Sequence, residues 1–183
     1  DIRDNAFSSS QNDNYDDVID FSIGDIDFTT DMDIINCAFE DARNGYTRYT
    51  DSSGLIELRD EICKYQKQEY GIEITSDEVF VSTSACHAMY LVMKCIIDEG
   101  DEVIIPTPHF IIYDFCIETN GGKVVYLPTY EEEDFEIDVK RLEKLITPKT
   151  KAIIINTPNN PTGTCLSREN LEDITKIAIK HDI

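Results

Sequence analysis

The chain has 183 residues, 41% of them apolar, which suffices for one ordinary α/β domain or one domain with an appendage. Its 16 Lys and Arg against 37 Asp and Glu leave a formal charge of −21. Such a surface repels phosphate backbones and anionic lipid, which argues against nucleic-acid and membrane-surface partners.

Residues 1–17 are rich in Ser, Asn and Asp and can bury little, so a flexible N-terminal arm is expected there. Val18-Ile19-Asp20-Phe21-Ser22-Ile23-Gly24 reads as a short extended stretch. A helix is predicted over 31–44, with Ile34, Ile35, Ala38, Phe39 and Ala42 on one face and Gly45 after it. A second is predicted over 55–70, with Leu55, Leu58, Ile62 and Tyr65 as its stripe and Gly71 as its stop. From there the pattern alternates. Strands are predicted at 78–82, 102–105, 123–127 and 151–155. Helices are predicted at 86–99, 109–119 and 138–146, and a last one follows Ser167. The run Glu131-Glu132-Glu133-Asp134 reads as a solvated loop.

Strands that alternate with helices need crossover connections, so the fold class expected is α/β with a mostly parallel sheet. The strands are apolar runs rather than strict alternations, as when both faces are covered. Sites on such sheets form beyond the carboxyl ends of the strands. Three loops leave predicted strand ends: 83–86, 106–110 and 156–163.

The first loop, Ser82-Thr83-Ser84-Ala85-Cys86, opens a helix. A helix start offers free N–H groups and the positive end of a dipole to a phosphate, although plain N-capping would use the same residues. The second, Pro106-Thr107-Pro108-His109-Phe110, is fixed by two prolines. Phe110 can lie flat on a planar ligand or cap the core, and His109 can act as a base or be a solvated side chain. The third, Asn156-Thr157-Pro158-Asn159-Asn160-Pro161-Thr162-Gly163, is a rigid turn that holds paired amides after a buried strand. The six cysteines form no C-x-x-C pair, and no His sits at ligand spacing from them, so no metal is expected. Reduced thiols inside apolar stretches point to a reducing, cytoplasmic setting. No uncharged apolar run is long enough to span a bilayer, and no signal-peptide pattern opens the chain.

Several of these stretches together resemble the class I/II aminotransferases of fold type I. They are Ser22-Ile23-Gly24-Asp25-Ile26-Asp27-Phe28, Tyr49-Thr50 through Gly54-Leu55 with Leu58-Arg59, and Pro158-Asn159-Asn160-Pro161-Thr162-Gly163. The similarity keeps order and spacing from about Val18 to Ile183. It implies a pyridoxal 5'-phosphate enzyme that moves an amino group between an amino acid and a 2-oxo acid, with sites at a homodimer interface. It implies that Ser84, with the amides of Ala85 and Cys86, holds the cofactor phosphate. Phe110 would stack on the pyridine ring. Asn160 would hydrogen-bond the ring's phenolic oxygen and help orient substrate. Tyr49 would reach the phosphate of the neighbouring subunit, and the backbone at Gly24 would touch the substrate carboxylate. On the same resemblance, 18–45 is a small-domain and interface segment, and 46–183 is an incomplete large cofactor-binding domain.

Two positions depart from the commoner family pattern: Ile26 stands where many members have Pro, and His87 where Gln, Glu or a small residue is usual. No Lys of the chain lies in the family's Schiff-base context, so no catalytic residue is assigned and the chain alone is expected to be inactive. The rival readings are a carbon–sulfur β-lyase of the same fold, which Asp25-Ile26-Asp27-Phe28 faintly suggests, and a non-catalytic truncated binding module.

Overall fold

The computed structural model describes Gly24, Ile26 and residues 28–183. The expected arm at 1–17 and the extended stretch up to Ile23 lie outside the described residues. The chain divides into two compact units, Asp1–Thr50 and Asp51–Ile183.

In the first unit, helix α1 spans Met32–Arg43. Asp31 caps it by accepting from the Asp33 amide at 2.8 Å, and Gly45 follows at φ 91°. The boundaries follow from those two residues: a short acceptor side chain satisfies a first-turn donor, and a glycine admits the left-handed exit.

In the second unit, α2 spans Ile56–Tyr70 and ends on Gly71 in the left-handed conformation, whose amide reaches Lys67. Helix α3 spans Ala85–Ile96, and strand β1 spans Glu102–Thr107. There follow α4 (Ile112–Glu118), β2 (Lys123–Pro128), α5 (Val139–Leu145), β3 (Thr150–Ile153) and α6 (Arg168–His181). The three strands form one parallel sheet in the order β2-β1-β3, with Ile104 opposite both Val125 and Ile153. The expectation of a parallel α/β sheet with helical crossovers is borne out.

The apolar run of β1 follows from its central position. Val103 and Ile105 pack on one face with Met93 and Ile97 at the end of α3 and Cys116 and Ile117 of α4. Ile104 packs on the other face with Leu127, Ile137, Leu142 of α5 and Ile174 of α6. Successive side chains of a strand point to opposite faces, so a strand covered on both sides must be apolar at every position.

One expected strand is corrected. Residues 78–82 are not in the sheet: Ser76–Glu78 form a 3-10 turn, and the chain beyond it is extended without a ladder. Local propensity makes this segment extended, but a strand also needs a partner, and none is paired with it among the described residues. The Val81 amide instead donates to Ser53 O at 3.0 Å, which brings the segment against Gly54. Gly54 sits at φ 99°, and a Cβ there would lie 2.6 Å from Val81 Cβ. Gly54→Ala combines a left-handed backbone with overpacking and should lower stability by at least about 1–3 kcal/mol in denaturant unfolding. An unchanged midpoint would mean that the two segments separate at no cost.

Other boundaries shift for local reasons. The helix expected over 86–99 stops at Ile96, since Ile97 turns extended to enter the core. The helix expected from 109 begins at Ile112, after the Pro108 turn.

Candidate active site

Ser84 starts α3. Its extended backbone (φ −162°, ψ 167°) and its hydroxyl, which accepts from the His87 amide at 3.1 Å, fix the first turn. Its carbonyl accepts from the Ala88 amide at 2.9 Å. The amides of Ala85 and Cys86 have no acceptor among the described residues, and both residues are exposed. Two free N–H groups beside a hydroxyl, at the positive end of a 12-residue helix, form a donor set suited to a phosphate. Capping and phosphate binding are therefore compatible here, because the cap uses the His87 amide and leaves the other two.

The loop after β1 is tied down at several points. The Thr129 amide and hydroxyl both donate to Thr107 O, at 3.0 and 2.9 Å. Phe110 is partly buried and stands edge-on to Tyr113, with centroids 5.9 Å apart and planes at 88°. Tyr113 connects this loop to the start of α3: burial pushes its phenol up, and the charge of the nearby Cys86 adds to the effect. Cys116, one turn along α4, places its Sγ 3.9 Å from Cys86 O.

Asn159 joins the third loop to the second. Its Nδ2 donates to Pro108 O at 3.1 Å and to Thr162 Oγ1 at 2.9 Å. Its backbone closes the turn, with the Asn159 amide on Thr164 O at 2.8 Å and the Gly163 amide on Asn159 O at 2.7 Å. Gly163, at φ 72°, supplies the left-handed step this closure requires. Asn160 is exposed, and its side chain has no partner among the described residues. The cavity enclosed between these loops has a volume of about 20 Å³, room for a single water, so it is a packing gap and not a ring site. A planar ligand would have to lie on the outer side of the loops, where Asn160 is open.

The second and third loops thus meet at the carboxyl end of the sheet, while the start of α3 is tied to α4 through Cys86 O and Cys116; Ser84, Ala85, Cys86, Phe110 and Asn160 all lie on one unit. Gly24 and Tyr49 belong to the other unit and are both exposed. Sequence reasoning missed two features. It gave Asn159 no separate part, although a paired Asn in a Pro-bounded turn is itself the signal that one amide serves the turn and the other is free. It also left His109 open as a solvated side chain. His109 is in fact largely buried, with Nε2 at 3.1 and 3.0 Å from the two oxygens of Asp114. Nothing in the spacing marks that pair, which depends on where the loop turns into α4.

The model of the family described as aminotransferase class I and II matches residues 16–183. The chain belongs to this family. Among its relatives, the aspartate aminotransferase of Bacillus subtilis (strain 168) is 42% identical over 167 residues, 91% of this chain and 42% of that protein. Aromatic-amino-acid aminotransferase 2 of Thermococcus litoralis is 37% identical over 91% of this chain and 43% of that protein. The crystal structure of an aromatic aminotransferase from Pyrococcus horikoshii OT3 superposes with a TM-score of 0.86 at 40% identity, covering 91% of this chain and 45% of the other. The chain spans about two fifths of the length of the curated relatives it matches. Class I/II aminotransferases use pyridoxal 5'-phosphate, and the donors and partly buried aromatic of this chain fit a phosphorylated planar ring. Among the described residues no helix is long and apolar enough to cross a membrane.

Proposed function

We propose that the whole protein is a pyridoxal-phosphate-dependent aminotransferase that moves an amino group between an amino acid and a 2-oxo acid. The observation that supports this reading is the meeting of the Phe110 loop with the Asn159–Asn160 turn at the carboxyl end of the sheet, on the same unit as the free first-turn amides of α3. When bound, the cofactor supplies an electron sink for bond breaking at the α-carbon of the amino acid. Ser84, Ala85 and Cys86 would hold its phosphate, Phe110 its ring face, and Asn160 its phenolic oxygen and the substrate. A homodimer is proposed, in which Tyr49 serves the partner's phosphate and Gly24 offers its backbone to the substrate carboxylate. On this reading 18–45 is an interface segment and 46–183 part of the large domain. The six free cysteines favour a reducing, cytoplasmic compartment, and the charge of −21 disfavours nucleic-acid and membrane partners.

The relatives' names include both aspartate and aromatic aminotransferases, so the amino-acid substrate stays open. The test is a product assay on the protein expressed from its full reading frame with added pyridoxal phosphate. Glutamate formed from 2-oxoglutarate supports the proposal. Pyruvate and ammonia from cystathionine without transamination would replace it with a β-lyase.

Two substitutions separate the parts of the site. Asn160→Ala removes a donor to a charged oxygen, an interaction worth about 1.5–3 kcal/mol. The midpoint of the bound cofactor's visible absorbance titration should rise accordingly, since the form bearing the phenolate loses its support. Ser84→Ala should speed cofactor loss on dialysis and leave that midpoint in place. The reverse pattern would mean that the two loops have been assigned to the wrong ends of the cofactor.

A further inference from the structure

His109 and Asp114 stand just outside the roles assigned above, yet they are built into the structure at the turn that carries Phe110. The two side chains are only 14% and 22% exposed. Both oxygens of Asp114 lie at hydrogen-bond distance from a single imidazole nitrogen, Nε2. A carboxylate can only accept, so Nε2 carries the proton it shares with Asp114. The imidazole is also gripped by rings. Tyr113 is stacked on it, with centroids 6.4 Å apart and planes 18° apart, and Tyr126 lies at 5.6 Å and 31°.

Phe110 is the next residue in the chain, and on its C-terminal side it is held through Tyr113, the ring stacked on His109. The Tyr113 amide donates to Phe110 O at 3.1 Å, and the Tyr113 ring meets the Phe110 ring edge-on. On the other side, Pro108 O is held by Asn159. A partly buried phenylalanine at a loop-to-helix junction would otherwise sample more than one rotamer, and stacking on a ligand would then carry the cost of ordering it. Asp114 needs no such partner for helix stability, since an acid in the first turn is already favoured by the dipole. Its placement over His109 therefore accounts for more than a capped helix.

We infer that His109 and Asp114 form a positioning pair that fixes the Phe110 ring in advance as the stacking surface for the cofactor. This rests on the proposed role of Phe110, but the orientation of the ring can be read without any cofactor. Neither residue touches the reacting atoms; both act through Tyr113 and the backbone of the loop.

The test uses the protein expressed from its full reading frame, with a fluorine label on the Phe110 ring, in wild type, Asp114→Ala and His109→Phe. The second variant keeps an aromatic between Tyr113 and Tyr126 and removes only the hydrogen bond, so it guards against a fold lost for other reasons. Without cofactor, the wild-type label should be displaced from the shift of the free amino acid by the neighbouring Tyr113 ring. In both variants it should move most of the way back. With pyridoxal phosphate, both variants should bind up to about tenfold more weakly, because binding must then order the Phe110 ring. The visible circular dichroism per bound cofactor, which reports ring orientation, should also fall. The double variant should be no worse than Asp114→Ala alone, since the bond to Asp114 that His109→Phe removes is already lost in that variant, which also gives up the Asp114 contact to Tyr126. Ser84→Ala should weaken binding with the fluorine shift and the dichroism unchanged.

A label shift in both variants equal to wild type would overturn the pair's role, as would a lower melting temperature with unchanged affinity and dichroism. A wild-type protein that binds no pyridoxal phosphate, while the variants still release the Phe110 ring, would sink the proposed function and leave the positioning pair standing.

Discussion

Ile104→Ala should destabilise the protein by about 2–5 kcal/mol, the range for deleting a large aliphatic side chain from a packed core. Ile104 is fully buried on the central strand, where it meets Leu127, Leu142 and Ile174 at once. Elements on both sides of this contact are anchored by their own backbone bonds, so they cannot collapse into the space left behind. The Ile154 amide, for example, donates to Ile104 O at 3.0 Å and holds the chain just past β3 in place. A loss at the upper end of the range is therefore expected. The control is Ile179→Ala on the outer face of α6, where the side chain is 75% exposed and the change should stay within about 0.5 kcal/mol. Urea unfolding of both variants decides the matter. Equal, small changes would show that the β1 face toward α5 and α6 is not the core.

What made this core legible in the sequence was continuity. Val103-Ile104-Ile105 is apolar at every position, and a strand buried on both faces has no polar side to reveal. The helix ends were legible for a different reason. Asp138, Ser167 and Gly71 are residue types whose side chain, or lack of one, settles the boundary locally. The segment 78–82 was misread because its β-branched and aromatic residues set only the backbone shape, while strand pairing is a property of two segments. The same limit applies to the site. Ser84 and Asn160 were legible because each belongs to a turn that its own neighbours dictate. The His109–Asp114 pair and the Asn159 bridge to Pro108 were not, because each depends on how two loops or a loop and a helix approach in space. Sequence separation carries the lesson: the Asn159 bond spans 51 residues, and no local pattern encodes that.

Because that bond is long-range, Asn159 is where the site should be most sensitive. Asn159→Ala removes two hydrogen bonds, to Pro108 O and to Thr162 Oγ1, each worth about 0.5–1.5 kcal/mol net. The expected loss is about 1–3 kcal/mol of stability. Part of it should appear as faster loss of pyridoxal phosphate, since the Phe110 loop and the Asn160 turn are then free to move apart. Asn159→Asp is the sharper variant. It keeps size and shape but replaces a donor by an acceptor, which sets a carboxylate oxygen against the Pro108 carbonyl. If the bridge works as a donor, Asp should be at least as damaging as Ala, and both should be worse than Asn160→Ala, which leaves the bridge intact. Melting curves and dialysis rates for the three variants give the ranking. Should Asn159→Asp prove milder than Asn159→Ala, side-chain volume would be what matters at this position, and the bond to Pro108 would not hold the two loops together.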